Sequence, residues 1–311
     1  MCKLTVFTAT YNRAHLIWRL YESLQRQTNF DFEWLVVDDG SNDGTQRLFQ
    51  KWIAEENKFT IRYYYQENQG LICALNKGIE LAKGQFFSKI DSDDYVVDNY
   101  IENIMKWTKQ IYVSDSIYAV AGLRVREDGK PLKGSYPKIP EQRNYVDATD
   151  LERGKYNLDA DMCEAWKTEV LKNHPFPVWH GEKFAPEQLV LYDIALEGLK
   201  IRWYPIPMCI CEYQEGGLTL GASRLEKENP MGYAMMYNQN LKLYSFWKRN
   251  LYDAMQMTAL SFYAHELSYL RQTNNKFATI VTFPFGILLG IRRWIQYSKI
   301  NGNKDKKNAQ N

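Results

Sequence analysis

Within about its first hundred residues the chain repeats one pattern four times: an apolar, strand-like run that ends in polar residues. The runs are Lys3 to Thr8, Phe32 to Val37, Ile61 to Tyr65 and Gln85 to Ile90. Between them lie segments with apolar residues at helical spacing. Ala14 to Gln27 carries Leu16, Ile17, Leu20 and Leu24; Thr45 starts a helix through about Ala54; a third has Leu71, Ala74, Leu75, Gly78 and Ile79 on its buried side. Strand and helix in alternation predict an α/β fold, a doubly wound, mostly parallel sheet with right-handed crossovers and flanking helices. Ligands of such sheets bind beyond the carboxyl ends of the strands. Thr10 to Arg13, Asp38-Asp39, Asn68 to Gly70 and Asp91 to Asp94 all fall there. Four polar clusters on one rim predict a site.

The last cluster is the most charged. Phe86 to Ile90 runs straight into Asp91-Ser92-Asp93-Asp94, and carboxylates this close raise one another's pKa unless a counter-charge is present. Mg²⁺ or Mn²⁺ would take oxygen ligands and keep positions open for phosphate. The alternative is a helix cap, with Asp93 or Asp94 at the start of a helix near Asp98. Neither G-x-G-x-x-G nor G-x-x-x-x-G-K-[ST] is present, which excludes the common dinucleotide and P-loop sites. Haloacid-type phosphatases carry Asp-x-Asp on the first strand, whereas here it closes the fourth. Asp39 can accept the imide N–H of a uracil, Tyr11 can stack on its ring, and a metal at Asp93 can bridge two phosphates.

The segments Val6 to Arg13, Leu35 to Ser41, Asn68-x-Gly70-x-x-x-Ala74-x-Asn76-x-Gly78-Ile79 and Asp91-Ser92-Asp93-Asp94 together resemble the nucleotide-binding half of family 2 glycosyltransferases. These are inverting enzymes of GT-A fold, many of them building bacterial surface polysaccharides. The resemblance implies a nucleotide-sugar donor, with UDP expected, and a glycan or lipid-linked glycan acceptor. It places Ala9 against the base by its backbone, Tyr11 on the base, Asp39 in hydrogen bond to it, Asn76, Asp91 and Ser92 around the rest of the donor, and Asp93 on the metal. Ala9 replaces the usual Pro. Leu75 stands where many members carry Arg, so Lys77 or Lys89 is expected to supply that contact. An acidic residue just before a helix serves the family as base, and Glu187, ahead of Leu189 to Leu199, fits best. Glu182 is the reserve, and Asp193 is expected to be buried in the helix. Glu187 could otherwise serve only as a first-turn acid on the helix dipole. Glu212 to Thr219 resembles the family's mobile closing loop, and Arg224 could reach a pyrophosphate or be an ordinary surface residue.

The remaining expectations are coarser. The chain divides into a nucleotide-sugar half (1–110), an acceptor and base half of the same domain (111–228), a helical region (229–300) and a disordered tail (301–311). Ile201 to Cys211 reads as an edge strand because of Pro205 and Pro207. Five cysteines without C-x-x-C predict reduced thiols, Cys209 and Cys211 being too few for zinc. The histidines are too scattered for a metal site, and Trp166 and Trp179 could line an acceptor groove or pack in the core. Direct entry into a strand predicts no signal peptide. Residues 277–299 are apolar, broken by Pro284 and Gly286, and flanked by Arg292, Arg293 and Lys299. That suits an interfacial helix on the inner leaflet rather than a span, or else a dimer or core helix. The expected location is the cytoplasm, peripheral to the plasma membrane. A net charge of +2 points to no nucleic acid. The rival readings are an inactive nucleotide-sugar binder or membrane scaffold, and a sugar nucleotidyltransferase, which would need a glycine-rich basic loop after the first strand.

Overall fold

A computed structural model describes residues 3–140, 142–212 and 222–308. The chain forms two compact units, one of residues 1–176 and 190–215, the other of residues 177–189 and 216–311.

The first unit is built on one sheet in the order β3-β2-β1-β4-β8-β6-β9-β5, with β7 also paired to β9. Here β1 is Leu4–Thr10, β2 Phe32–Asp38, β3 Thr60–Tyr65, β4 Phe86–Lys89, β5 Tyr95–Val96, β6 Ile117–Val125, β7 Val146–Ala148, β8 Met162–Lys167 and β9 Lys200–Ile210. The first four strands are parallel, with Thr10 level with Asp38 and Asp38 with Tyr65, so their carboxyl ends share one rim. β1 and β2 are buried nearly throughout, which is why they read as continuous apolar runs. Glu33 is a charged exception inside the run, as is Asp38 at its end. The Glu33 carboxylate is satisfied by Arg62 at 2.9 Å, the Thr5 hydroxyl at 2.7 Å and the Lys83 amide at 2.8 Å.

The connecting helices are α1 (Trp18–Gln25), α2 (Thr45–Ala54) and α3 (Leu71–Leu81). α1 is shorter than its spacing predicts. Leu16 and Ile17 donate to the Arg13 carbonyl in a turn first, and the Ala14 amide is held by Asp43 at 2.9 Å. In α3, Gly78 faces Phe7 so closely that a Cβ would lie 2.2 Å from the ring, while Leu71 is only half-buried. Much of the aromatic content is core: Tyr21 stacks on Trp52 at 4.2 Å, and Trp34 meets Phe49 at 5.2 Å.

Beyond β4 the sheet becomes mixed, β8 running antiparallel to both β4 and β6. α4 (Tyr100–Ile111) starts after β5, and neither Asp93 nor Asp94 caps it; its N-terminal flank is Asn99, without a side-chain cap bond. That removes the cap explanation for the triplet. β9 corrects another expectation, since it is not the edge. It pairs with β6 on one side, and on the other with β7 over residues 201–203 and β5 over residues 209–210. Pro205 falls where the β6–β9 register shifts and between the two short partners, where a missing N–H costs no ladder bond. α5 (Thr168–Asn173) follows β8, and α6 (Gln188–Leu196) begins in the second unit's residues and ends in the first unit's.

The second unit holds α7 (Ala222–Glu228), α8 (Pro230–Leu243), α9 (Trp247–Tyr263) and α10 (Lys276–Asn308). Proline at the first position of α8 suits a helix start, where its N–H is not needed. α10 continues through Pro284 without a break, and its apolar stretch, Lys276–Tyr297, is by length and composition sufficient to cross a membrane. It is therefore longer and less interrupted than the sequence suggests, and it extends past residue 301, where disorder was expected. Gly286 and Gly290 press it onto α9: a Cβ would lie 2.5 Å from Thr258 at the first and 2.7 Å from Phe262 at the second.

Candidate active site

The loops at the carboxyl rim of the first four strands are tied to one another. Asp39 donates its amide to the Thr10 carbonyl at 2.9 Å, and Asn12 donates to the Ser41 hydroxyl at 2.8 Å while its own side chain accepts from Asn42. Asn12 is left-handed at φ 54°, a conformation asparagine tolerates. These bonds hold Tyr11 outward, with half of its surface exposed (50%), as a ring available for stacking. Ala9 is half-buried in β1, level with Val37.

The two aspartates of the second strand differ. Asp38 is fully buried and structural, accepting from the Ser41 amide at 2.8 Å and from the Tyr63 hydroxyl. Asp39 ties the second and third loops together. Its Oδ1 accepts from Gln66 Nε2 at 2.8 Å and the Gln69 amide at 2.9 Å, and its Oδ2 from the Gly70 amide at 2.7 Å and Asn68 Nδ2 at 3.1 Å. The carboxylate that the sequence assigns to the base thus already has four donors.

At the fourth strand the counter-charge for the carboxylates is partly protein. Arg124 on β6, only 12% exposed, places Nη1 3.0 Å from Asp91 Oδ2 and 2.6 Å from Asp94 Oδ2, with Nε on the Met162 carbonyl. Lys89 stands 3.7 Å from the other oxygen of Asp91. Burial opposes ionisation of Asp91, but Lys89 and Arg124 outweigh it and hold its carboxyl below the usual range. Asp94 goes the other way: burial pushes it up to about 6 against the pull of Arg124. Among the described residues Asp93 has no ion pair. Burial and the neighbouring Asp91 raise its carboxyl pKa, and Arg13 and Arg124 act on it only from farther off. Ser92 is buried between them.

Sequence reasoning missed Arg124. Its one signal was a lone arginine inside the apolar run Ile117–Val125. It also explains the thiols. Cys209 and Cys211 lie 3.7 Å apart, and Asp94 joins them to bring three ligand atoms within 4.8 Å of one another, but the guanidinium already holds the Asp94 oxygen and sits 3.7 Å from Cys211 Sγ. The four described cysteines are all free.

Other predicted residues are placed less directly. Asn76 spends both ends of its amide on the backbone of Phe176, at 2.8 and 3.0 Å. Lys77 pairs with Glu80 at 2.6 Å, so of the two candidate lysines Lys89 is the one beside Asp91. Trp166 is core at 6% exposed, though its indole N–H has no partner among the described residues. In the second unit, Glu187 is half-buried immediately ahead of α6. Glu182, the reserve base, instead accepts from the first amides of α8, Met231 at 2.6 Å and Gly232 at 2.9 Å, as an N-terminal cap. Asp193 is exposed, contrary to expectation. Arg224 is a surface residue paired with Glu228 at 2.7 Å. Trp179 packs near Met231, Ala234 and Leu260. Residues 213–219 of the expected closing loop lie outside the described residues.

The family model for glycosyl transferase family 2 matches residues 5–159. A GalNAc(5)-diNAcBac-PP-undecaprenol beta-1,3-glucosyltransferase of Campylobacter jejuni is 23% identical over 75% of this chain and 72% of its own length. EpsH of Bacillus subtilis is 37% identical over 33% of this chain, which spans only 29% of that relative. Among solved structures, TarS 1-349 of S. aureus with UDP-GlcNAc superposes with a TM-score of 0.58 at 18% identity, over 96% of this chain and 92% of that one. The mannosyltransferase PcManGT of Pyrobaculum calidifontis, with GDP-Man and Mn²⁺, gives 0.56 at 20% identity, over 94% and 82%. With this sheet order, this rim and these matches, the chain has the GT-A fold and belongs to glycosyl transferase family 2.

Proposed function

We propose that the chain is a metal-dependent inverting glycosyltransferase that moves a sugar from a nucleoside diphosphate, preferably UDP, to a hydroxyl of a glycan or lipid-linked glycan. The observation that carries this reading is the charge pattern of the rim. Arg124 compensates Asp91 and Asp94, leaving Asp93 as the carboxylate short of a cation, on the rim that also carries Tyr11 and Asp39. Its oxygens suit Mn²⁺ or Mg²⁺, with Asp93 holding the ion and Asp91 beside it. Bound there, the cation would offset the charge of a departing diphosphate.

The chain's own groups have separate tasks. Tyr11 stacks on the base, the Ala9 backbone and Asp39 meet its edge, Ser92 and Asp91 face ribose and sugar, and Lys89 adds positive charge near the phosphates. Asn76 supports from behind, by holding Phe176. Glu187 takes the proton of the acceptor hydroxyl as that oxygen bonds the anomeric carbon. The bond from that carbon to the diphosphate breaks with its electron pair on the phosphate oxygen, and configuration inverts. The position of Glu187 directly ahead of α6 supports this role. A lipid-linked acceptor is supported by the name of the Campylobacter relative. So is contact with the inner leaflet, because α10 exposes Phe277, Ile280, Phe285, Leu288 and Trp294. With Gly286 and Gly290 packed on α9, that helix suits the interface rather than a span.

A panel of UDP-, GDP- and dTDP-sugars, screened for Mn²⁺-dependent thermal stabilisation, identifies the donor. Asp93→Ala is expected to abolish turnover and weaken donor binding, and Glu187→Gln to abolish turnover while donor still binds. Full transfer in excess EDTA would overturn the metal role. Unchanged biological output from both variants would mark a non-enzymatic binder instead.

A further inference from the structure

Asp39 presents a contradiction that the fold itself resolves. An ionised carboxylate has about four lone-pair positions, and in Asp39 all four are taken. A nucleobase cannot bond there unless one donor leaves. Three of the four are fixed. The Gln69 and Gly70 amides belong to the backbone entering α3, where Gly70 has φ 98°. Asn68 is anchored twice, its Nδ2 also donating to the Asp39 carbonyl at 2.8 Å, and its backbone lies so near the turn that a Cβ on Gly40 would come within 2.8 Å of its nitrogen. Gln66 is different. Its backbone is fixed by donation to the Asp38 carbonyl at 2.9 Å, but its side chain is half-buried, long and held to Asp39 by a single bond at 2.8 Å.

We infer that the Gln66 amide occupies the place on Asp39 Oδ1 that a nucleobase must take, so that donor binding exchanges one N–H for another. The inference rests on the reading that a nucleotide base reaches Asp39. The bases that can make the exchange carry an N–H between or beside carbonyls: uracil, thymine and guanine. No bond is lost in the exchange, and Asp39 keeps four donors with and without ligand. The closed amide nevertheless lowers the apparent affinity by the fraction of molecules in which it has swung away.

The test is equilibrium binding of UDP, with Mn²⁺, to the full chain as wild type, Gln66→Ala and Gln66→Met, the latter keeping bulk without a donor. Thermal unfolding of each free variant is measured first. Both substitutions are expected to tighten UDP by about 3- to 10-fold, corresponding to an open fraction of roughly a tenth to a third. Inorganic pyrophosphate with Mn²⁺, which has no base, is expected to bind all three proteins alike. Equal or weaker UDP binding by both variants, with unfolding intact, overturns the inference and leaves the glycosyltransferase reading standing. So does equal tightening of UDP and pyrophosphate, since the effect would not act on the base. If wild type binds none of UDP, dTDP and GDP, both fall together. Should Gln66→Ala unfold, Gln66→Met decides alone.

Discussion

Arg124 is one cation shared by two carboxylates and close to a thiol, and removing it would leave the buried Asp94 without its ion pair, beside an Asp91 that is more exposed and still near Lys89. Arg124→Met is expected to destabilise the fold by about 3–5 kcal/mol, the usual cost of stranding buried charge, as read from urea denaturation. Arg124→Lys should recover part of this, because an ammonium can approach the two oxygens that Nη1 serves but cannot also make the bond of Nε to the Met162 carbonyl. Nothing in sequence spacing joins residue 124 to 91 and 94, so this counter-charge was legible only as an oddity in an apolar strand. Glu164 gives a second expectation. Burial pushes its carboxyl up to about 8, with Arg153 pulling the other way. Between its ordinary value of 4.5 and 8, the native state keeps a proton that the unfolded chain has released, so this group makes stability fall as pH rises across that window. Glu164→Gln cannot ionise, and its Tm relative to wild type should rise steadily from pH 5 to pH 8.

At the scale of elements, the first half of the sheet was readable because parallel, doubly covered strands are apolar throughout and each ends in a polar cluster at the same rim. β2 and β3 match their predicted spans nearly to the residue, and α2 does so at both ends. Misreadings came where a local signal was overruled by distant partners. Pro205 and Pro207 suggested an edge, yet β9 is flanked on both sides because β7 and β5 pair to either side of the prolines. The sequence ranks Glu182 only as the reserve to Glu187, and α8 shows that Glu182 is spent as a cap. The packing of α3 on β1 can be tested at Gly78. Gly78→Ala would force Phe7 aside and is expected to cost about 1–3 kcal/mol. The double variant with Phe7→Leu should recover much of the loss, a coupling measurable as a double-mutant cycle.

The molecule as a whole divides into two compact units. Aromatic helical spacing announced the C-terminal helices, but nothing marked residues 177–189 as belonging with them. The exposed side of α10 gives the expectation at this scale. Replacing Ile280 and Leu288 by Glu should abolish sedimentation with anionic phospholipid vesicles at low salt while leaving the unfolding free energy within about 0.5 kcal/mol of wild type, since both are surface positions. The flanks of β9 carry one more consequence. On that side the sheet ends in a three-residue and a two-residue strand, with prolines between, so there is no long row of free amides to recruit a neighbour. The opposite border is the outer side of β3, six residues long, half of them exposed and none buried. If copies of this chain ever stack strand to strand, on storage or during refolding, the sheet leaves them that border to do it on.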